Sequence, residues 1–158
     1  LKTAVLLAAS LKIGARLGGA SVEDADRLYD FGMHIGVAFQ LKDDLLDVYG
    51  NAKVFGKNIG GDILCNKKTY MLIKALEHAN ADQHNQLNSW INAETFQPAE
   101  KIAAVTELYD RIGVKAVCEN KILEYSNRAM ESLAAVSIVE EKKEELKKII
   151  ENLIHREV

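Results

Sequence analysis

The sequence has little proline and cysteine and no long apolar run. One proline occurs in 158 residues, at position 98, which favours a mostly helical globular protein. The two cysteines, Cys65 and Cys118, lack any Cys-x-x-Cys or Cys/His spacing, so we expect ordinary cytoplasmic thiols without zinc or a disulfide framework. The longest apolar run, AVLLAA, is far too short to cross a membrane. We therefore expect a cytoplasmic protein with no membrane span.

An excess of positive charge is also absent. The chain has 20 Lys and Arg against 23 Asp and Glu, a formal net charge of -3. Nucleic-acid-binding surfaces are usually broad and basic, so this balance argues against a nucleic-acid partner. Any site for a phosphorylated ligand has to be local.

The apolar residues that are present recur with the helical period, and no strand pattern stands out. Residues 1–17 predict a helix that ends at Gly18 and Gly19, since glycine is common just beyond a helix C-terminus. Ser21 predicts the cap of a second helix, which ends near Gly50. The predicted buried stripe of that helix comprises Leu28, Phe31, Ile35, Phe39 and Leu46.

The rest of the chain predicts a long loop and further helices. Residues 50–66 contain four glycines without helical periodicity, and loops of this length inside compact domains are often functional. Further helices are predicted at 68–80, at 83–92, from Pro98 to about 135 with a break near Gly113, and from 140 to 158. We expect an all-α fold in which residues 1–158 form one domain. The chain enters its first helix at Leu1 without a capping residue, so we interpret it as part of a longer protein.

Three aspartates, Asp43, Asp44 and Asp47, lie within five residues in the stretch FQLKDDLLDVYG. At about 100° per residue they share an arc with Gln40 beside the predicted buried stripe. They occupy the C-terminal turns of their helix, where the helix dipole and their mutual repulsion disfavour carboxylates. Carboxylate clusters suit Mg²⁺, which completes its coordination with water and substrate phosphate. The cluster predicts a magnesium site, and a merely exposed acidic helix end is the alternative.

Lysines accompany the aspartates along the sequence. Lys57 lies in the glycine-rich segment, Lys67 follows it, and Lys2 precedes Thr3 at the chain start. Lysines in a flexible loop near a metal site can bind phosphate oxygens, so we predict a phosphate clamp. Each lysine alone is equally compatible with a solvated side chain.

The segments FQLKDDLLD, FGKNIGGDI and NKKTY follow one another in an order and spacing that is specific. Together they resemble the carboxy-terminal half of the trans-isoprenyl diphosphate synthases. This polyprenyl synthetase family includes the farnesyl and geranylgeranyl diphosphate synthases. The resemblance covers essentially the whole chain. It implies the all-α helical bundle of the isoprenoid synthases, of which this chain would be the carboxy-terminal portion.

The resemblance also implies a reaction and its residues. Mg²⁺ would bridge the second aspartate-rich motif, formed by Asp43, Asp44 and Asp47, to an allylic diphosphate. The lysines Lys2, Lys57 and Lys67 would bind this diphosphate. Thr3 and Gln40 would line the site near the allylic cation, and Asp62 would orient the lysine loop. The reaction implied is ionisation of the allylic diphosphate, attack by isopentenyl diphosphate and loss of a proton.

One feature departs from the family pattern. The family uses two aspartate-rich motifs, whereas EDAD at 23–26 has the wrong spacing for the first of them. The implied partners are a missing amino-terminal half and a second copy in a homodimer, and these 158 residues alone would be inactive. Two alternatives remain open, a non-catalytic helical subunit and a terpene cyclase-like enzyme. The sequence does not predict the product length.

Overall fold

The structure, a computed structural model, describes residues 2–51 and 59–154. These residues contain helices and no strand, so the predicted all-α fold is confirmed. The helices are α1 (Lys2–Leu17), α2 (Val22–Tyr49), α3 (Gly61–Leu64), α4 (Tyr70–His78), α5 (Ala81–Asn92), α6 (Pro98–Ile112), α7 (Val114–Ala134) and α8 (Glu144–Ile154), with a 3₁₀ turn at Glu140–Lys142.

The chain divides into two compact units. The first comprises Leu1–Lys42 and Asn120–Glu157, and the second comprises Asp43–Glu119. The boundaries fall within α2 and α7, so each of these helices contributes one part to each unit. That the whole chain forms a single domain stays a prediction.

In the first unit, α1 and α2 approach each other closely where small residues meet. A Cβ atom added at Gly36 would lie 2.5 Å from the Cα of Ala4, and one added at Gly32 would lie 2.6 Å from the Cα of Ala8. Real Cβ atoms do not approach backbone this closely, so a larger residue would push the helices apart. These two glycines therefore fix the distance between α1 and α2.

We predict that Gly36→Ala lowers the free energy of unfolding by about 1–3 kcal/mol, the usual cost of overpacking a tight contact. The matched control is Gly14→Ala in α1, where an added Cβ meets no atom within 4 Å. The control should raise stability by about 0.5–1 kcal/mol, because alanine favours a helix interior over glycine. Urea denaturation of the two variants measures both changes. Equal stabilisation by both would contradict the tight contact.

The prediction of a buried stripe on α2 is correct for Phe31, Ile35 and Leu46, which are buried. Leu28 is half-buried. The prediction is wrong at Phe39, whose side chain is 42 % exposed. Phe39 lines an open apolar groove in the first unit, so part of its side chain is exposed to that groove.

Local capping contacts fix the ends of several helices. Ser21 begins α2 as predicted, because its hydroxyl accepts a hydrogen bond from the Asp24 amide at 3.0 Å. The Asp24 carboxylate accepts hydrogen bonds from the Ser137 amide at 2.9 Å and from Arg27 at 3.0 Å. Asp24, the second residue of EDAD, thus ties the start of α2 to the segment after α7.

The second unit is organised around α6, which contacts α3, α4 and α5. Thr69 caps α4, and Asn80 and Gln83 form a reciprocal capping box at the start of α5. Pro98 is the first residue of α6, and Gly113, with φ at 82°, separates α6 from α7 as the sequence predicts. The predicted loop over 50–66 is wrong in its last part, where α3 forms.

Within residues 2–51 and 59–154, every helix is too short or too polar to span a bilayer.

Candidate functional site

The three predicted metal-binding aspartates occupy the last two turns of α2 in the second unit. Asp44 is buried at 7 % exposure, and Asp43 and Asp47 are half-buried. Asp47 contacts the start of α3, because its carboxylate accepts a hydrogen bond from the Asp62 amide at 2.9 Å. The Asp47 carbonyl oxygen also accepts one from the Gly60 amide at 2.6 Å. The end of α2 and the start of α3 are thereby joined.

Gly60 makes this junction possible. Its φ of 84° lies in the left-handed region, which glycine adopts without strain. A Cβ at this position would also lie 2.7 Å from the side chain of Ile102 on α6. Both the turn and the close approach therefore require glycine, and together they set where α3 begins.

Lys67 lies between two aspartates of the second unit. Its Nζ donates hydrogen bonds to Asp62 Oδ2 at 2.7 Å and to Asp44 Oδ1 at 3.1 Å. Burial disfavours its charged form, but the hydrogen bonds to the two carboxylates outweigh this and raise the pKa of Lys67 above its ordinary value. The ammonium is therefore charged throughout the physiological pH range, and its side chain is still 46 % exposed.

The electrostatics of Asp47 differ from those of a solvated aspartate. Burial raises the pKa of its carboxyl, and the negative charges of Asp62 and Asp43 add to this shift. The Asp62 amide and the positive charge of Lys67 oppose it without cancelling it. A raised carboxyl pKa means that the ionised form costs stability in the fold, since protonation is favoured in the folded state relative to the unfolded one. Lys67 relieves part of this cost, and a further cation would relieve more of it.

The carboxylates at the end of α2 are the candidate ligands for a metal ion. Across residues 2–51 and 59–154, no group of three His, Cys, Asp or Glu side chains is arranged to enclose one. Asp44 and Asp47 already accept hydrogen bonds, whereas the described residues offer no hydrogen-bond donor to the Asp43 carboxylate. One or two carboxylates completed by water and phosphate are the usual shell of Mg²⁺. The donor set fits magnesium that arrives with a phosphorylated ligand.

Two other predicted site residues meet in the first unit. The Thr3 hydroxyl donates a hydrogen bond to Gln40 Oε1 at 3.3 Å. Thr3 also lines the apolar groove of this unit, which has a volume of about 630 Å³. The other lining residues are Leu7, Ile35, Gly36, Phe39, Ile149, Asn152 and Leu153.

Two predicted diphosphate ligands are not placed by the structure. Lys57 lies outside the described residues. Lys2 begins α1, but its side chain is likewise outside the described part of the chain. Of the three predicted lysines, the structure therefore locates the ammonium of Lys67.

Asn66 and Lys101 were missed by the sequence analysis. The Lys101 ammonium donates to Asn66 Oδ1 at 2.8 Å, and Asn66 directly precedes Lys67. Shortly after α3 the backbone adopts the left-handed conformation at position 66, which asparagine tolerates. This tolerance is a weak sequence signal for Asn66. Lys101 has no comparable signal, because lysines in an amphipathic helix are normally solvated.

Comparison with known proteins decides the family. The profile described as Polyprenyl synthetase matches residues 1–109. The chain belongs to the polyprenyl synthetase family. It is 36 % identical over 132 residues to the short chain isoprenyl diphosphate synthase of Methanothermobacter thermautotrophicus, covering 84 % of this chain and 40 % of the relative. It is 30 % identical over 159 residues to the (2E,6E)-farnesyl diphosphate synthase of Mycobacterium tuberculosis, covering 99 % of this chain and 44 % of the relative.

Solved structures show the same fold for this polyprenyl synthetase chain. A crystal structure of geranylgeranyl pyrophosphate synthase superposes with a TM-score of 0.90 at 33 % identity, covering 99 % of this chain and 49 % of the other. The geranylgeranyl pyrophosphate synthase of Corynebacterium glutamicum, complexed with isoprenyl diphosphate and magnesium, superposes with a TM-score of 0.80 at 31 % identity. That match covers 90 % of this chain and 40 % of the other.

These matches confirm the family and the isoprenoid synthase fold that the sequence predicts. They favour a polyprenyl synthetase over the terpene cyclase-like alternative. The chain spans less than half the length of the relatives and crystallised chains named above.

Proposed function

We propose that this chain is part of a magnesium-dependent trans-isoprenyl diphosphate synthase. The complete enzyme condenses isopentenyl diphosphate with an allylic diphosphate, and this chain carries the second aspartate-rich motif. The observation that carries the proposal is the position of Lys67, whose ammonium bridges Asp44 and Asp62 beside the acidic end of α2. A fixed cation next to a carboxylate cluster suits a ligand that brings both phosphate and a metal ion.

The Lys67 ammonium has a donor left for such a ligand. A lysine ammonium has three N–H donors, and the hydrogen bonds to Asp44 and Asp62 use two of them. The side chain is 46 % exposed, so the third donor can reach a phosphate oxygen. The two aspartates act as a clamp that orients Lys67 before the diphosphate arrives.

Magnesium would be held by Asp43, Asp44 and Asp47 together with the diphosphate. When bound, the metal supplies positive charge that stabilises the diphosphate as a leaving group. Lys67 acts in the same direction, because its charge is already oriented where negative charge develops. The pKa of Asp47 stays raised by burial even with Lys67 beside it, so a further cation would favour its ionised carboxyl.

The first unit has an apolar groove of its own. Its groove of about 630 Å³ has an apolar lining that matches a hydrocarbon chain. We assign Thr3 and Gln40, which are hydrogen bonded to each other, to the lining of the substrate site near the allylic cation. Lys2 and Lys57 are proposed as further diphosphate ligands on the basis of the family pattern.

The proposed complete enzyme, meaning this chain joined to an amino-terminal half, supplies the first aspartate-rich motif. Exposed apolar side chains on α1 support a covering partner: Leu6 is 72 % exposed, Ile13 59 % and Leu17 85 %. We further propose that the complete enzyme is a cytoplasmic homodimer.

The proposal is tested by incorporation of radiolabelled isopentenyl diphosphate. We expect the complete enzyme to transfer label to an allylic diphosphate with magnesium present, and to lose this activity when magnesium is chelated. The 158 residues alone should transfer none, because they lack the first motif. Reactions without an allylic diphosphate are the control.

Failure of the complete enzyme with allylic diphosphates of several lengths would contradict the proposed function and favour the non-catalytic subunit. Turnover by the 158 residues alone would contradict the need for a second half.

A further inference from the structure

Lys101 is an unusually buried lysine in the second unit. It lies on the face of α6 turned into the core and is 1 % exposed. Its Nζ donates to the amide oxygen of Asn66 at 2.8 Å and lies 4.2 Å from the ring centroid of Phe96. Of the described residues, none places a carboxylate in ion-pair contact with this nitrogen.

Keeping an ammonium at this position is unfavourable by itself. Burial lowers the pKa of Lys101, and the neighbouring Cys65 thiol acts in the opposite direction. Fully buried lysines are rare without a charged partner, and an apolar side chain of similar length would fill the same space at no desolvation cost. The hydrogen bond to Asn66 is the feature that an apolar side chain would not reproduce.

Asn66 is held from two sides. Its Oδ1 accepts the hydrogen bond from Lys101, and its Nδ2 donates to the carbonyl oxygen of Ile91 at 2.9 Å. The backbone of Asn66 has φ at 49°, in the left-handed region that residues other than glycine rarely adopt. Asparagine tolerates this conformation, and the two side-chain hydrogen bonds hold Asn66 in it.

The backbone conformation of Asn66 sets the position of Lys67. Directly after this turn, the Lys67 amide donates to the Asp62 carbonyl oxygen at 2.9 Å. The Thr69 amide then donates to the Lys67 carbonyl oxygen at 2.7 Å. With its backbone held in this way, Lys67 directs its ammonium to the carboxylates of Asp62 and Asp44.

We propose that Lys101 is a positioning residue: by holding the Asn66 amide, it fixes the turn that places the Lys67 ammonium beside the two aspartates. Lys101 does not touch the substrate in this account. The proposal rests on the role that the proposed function gives to Lys67, and it adds a buried residue of α6 that acts through the Asn66 turn.

A purely structural lysine would affect stability alone, so the two roles make different predictions. If Lys101 acts through Lys67, removing its ammonium lowers kcat only while Lys67 is present. If Lys101 only fills the core, its removal affects stability and leaves turnover by the folded enzyme unchanged. A double-mutant cycle separates the two, because it measures whether two residues act independently.

The experiment measures kcat for prenyl transfer and the melting temperature of the complete enzyme as wild type, Lys101→Met, Lys67→Met and the double variant. We expect Lys101→Met to lower kcat by about 10–100-fold, the scale of a misplaced catalytic group. In the Lys67→Met background, the same change should lower kcat by less than about twofold, since coupled residues are not additive. Its effect on the melting temperature should be similar in both backgrounds.

A second variant keeps the test decisive if Lys101→Met does not fold. Asn66→Gly removes the amide that Lys101 holds, yet glycine adopts the left-handed turn without strain. We expect this variant to fold and to lose kcat to the same extent as Lys101→Met, because the turn is no longer pinned. Full activity of Asn66→Gly would overturn the proposal.

The remaining outcomes are distinguishable. A wild-type enzyme without prenyl transfer contradicts the proposed function. The other case is a wild type that is active and loses activity in Lys67→Met. If Lys101→Met then leaves kcat unchanged, or lowers it equally in both backgrounds, only the positioning role of Lys101 is contradicted.

Discussion

Replacing Lys67 by methionine is expected to lower kcat of the complete enzyme by about 10²–10³-fold, the scale for removing one preorganised donor at developing charge. The Lys67 ammonium is fixed beside the aspartates by its hydrogen bonds to Asp44 and Asp62. Methionine preserves much of the length and apolar volume of the side chain but removes the charge. The free energy of unfolding should change by only about 1 kcal/mol or less, because ion pairs of half-exposed side chains contribute little.

Lys68→Met is the matched control for this prediction. Lys68 is the adjacent residue, is exposed, and has no hydrogen bond or ion pair with the described residues. The same change of charge at position 68 should leave kcat within about twofold, as expected for a surface substitution away from the site. Steady-state kinetics on both variants measure the contrast. Equal losses would mean that net charge, and not the position of Lys67, supports turnover.

Asp43→Ala is expected to lower kcat by about a hundredfold or more, because it removes a proposed carboxylate ligand of the metal. The described residues offer no hydrogen-bond donor to its carboxylate, so the fold should be unaffected. Removing one of several like charges at a helix C-terminus should even raise stability by a few tenths of a kcal/mol. Activity and urea denaturation of the same preparation measure the two effects.

Asp47→Ala provides the comparison within the same cluster. Asp47 accepts the hydrogen bond from the Asp62 amide, so its removal should lower stability by about 1 kcal/mol as well as activity. A large drop in stability with Asp43→Ala would show instead that Asp43 is structural.

Features set by neighbouring residues in the chain were predictable from the sequence. Ser21 caps α2, Pro98 begins α6 and Gly113 separates α6 from α7, each as predicted. These signals are local, because a cap or a left-handed glycine acts within one helical turn. The three aspartates also lie at the C-terminal end of α2, as the helical pattern predicts. That they and Lys67 form a metal and diphosphate site stays a prediction.

Features that depend on distant contacts were not predictable. The short helix α3 forms where the glycine content predicts a loop, because the Asp47 carboxylate and carbonyl oxygen hold its first residues. Phe39 matches the helical period of a buried stripe, but the groove it lines is set by packing of α1 and α8. Lys101 is buried because α6 presents it to Asn66, 35 residues earlier in the chain.

The most direct test of the magnesium-diphosphate site is titration calorimetry of the complete enzyme with Mg²⁺, with and without pyrophosphate. The described carboxylates do not enclose a metal by themselves, so Mg²⁺ alone should bind weakly. With pyrophosphate present, we predict that Mg²⁺ binds at least about tenfold more tightly, and that Asp43→Ala removes this gain. Asp30→Asn, an exposed aspartate on the same helix, is the control and should retain the gain. Equal affinity for Mg²⁺ with and without pyrophosphate, or a gain that survives Asp43→Ala, would contradict the account.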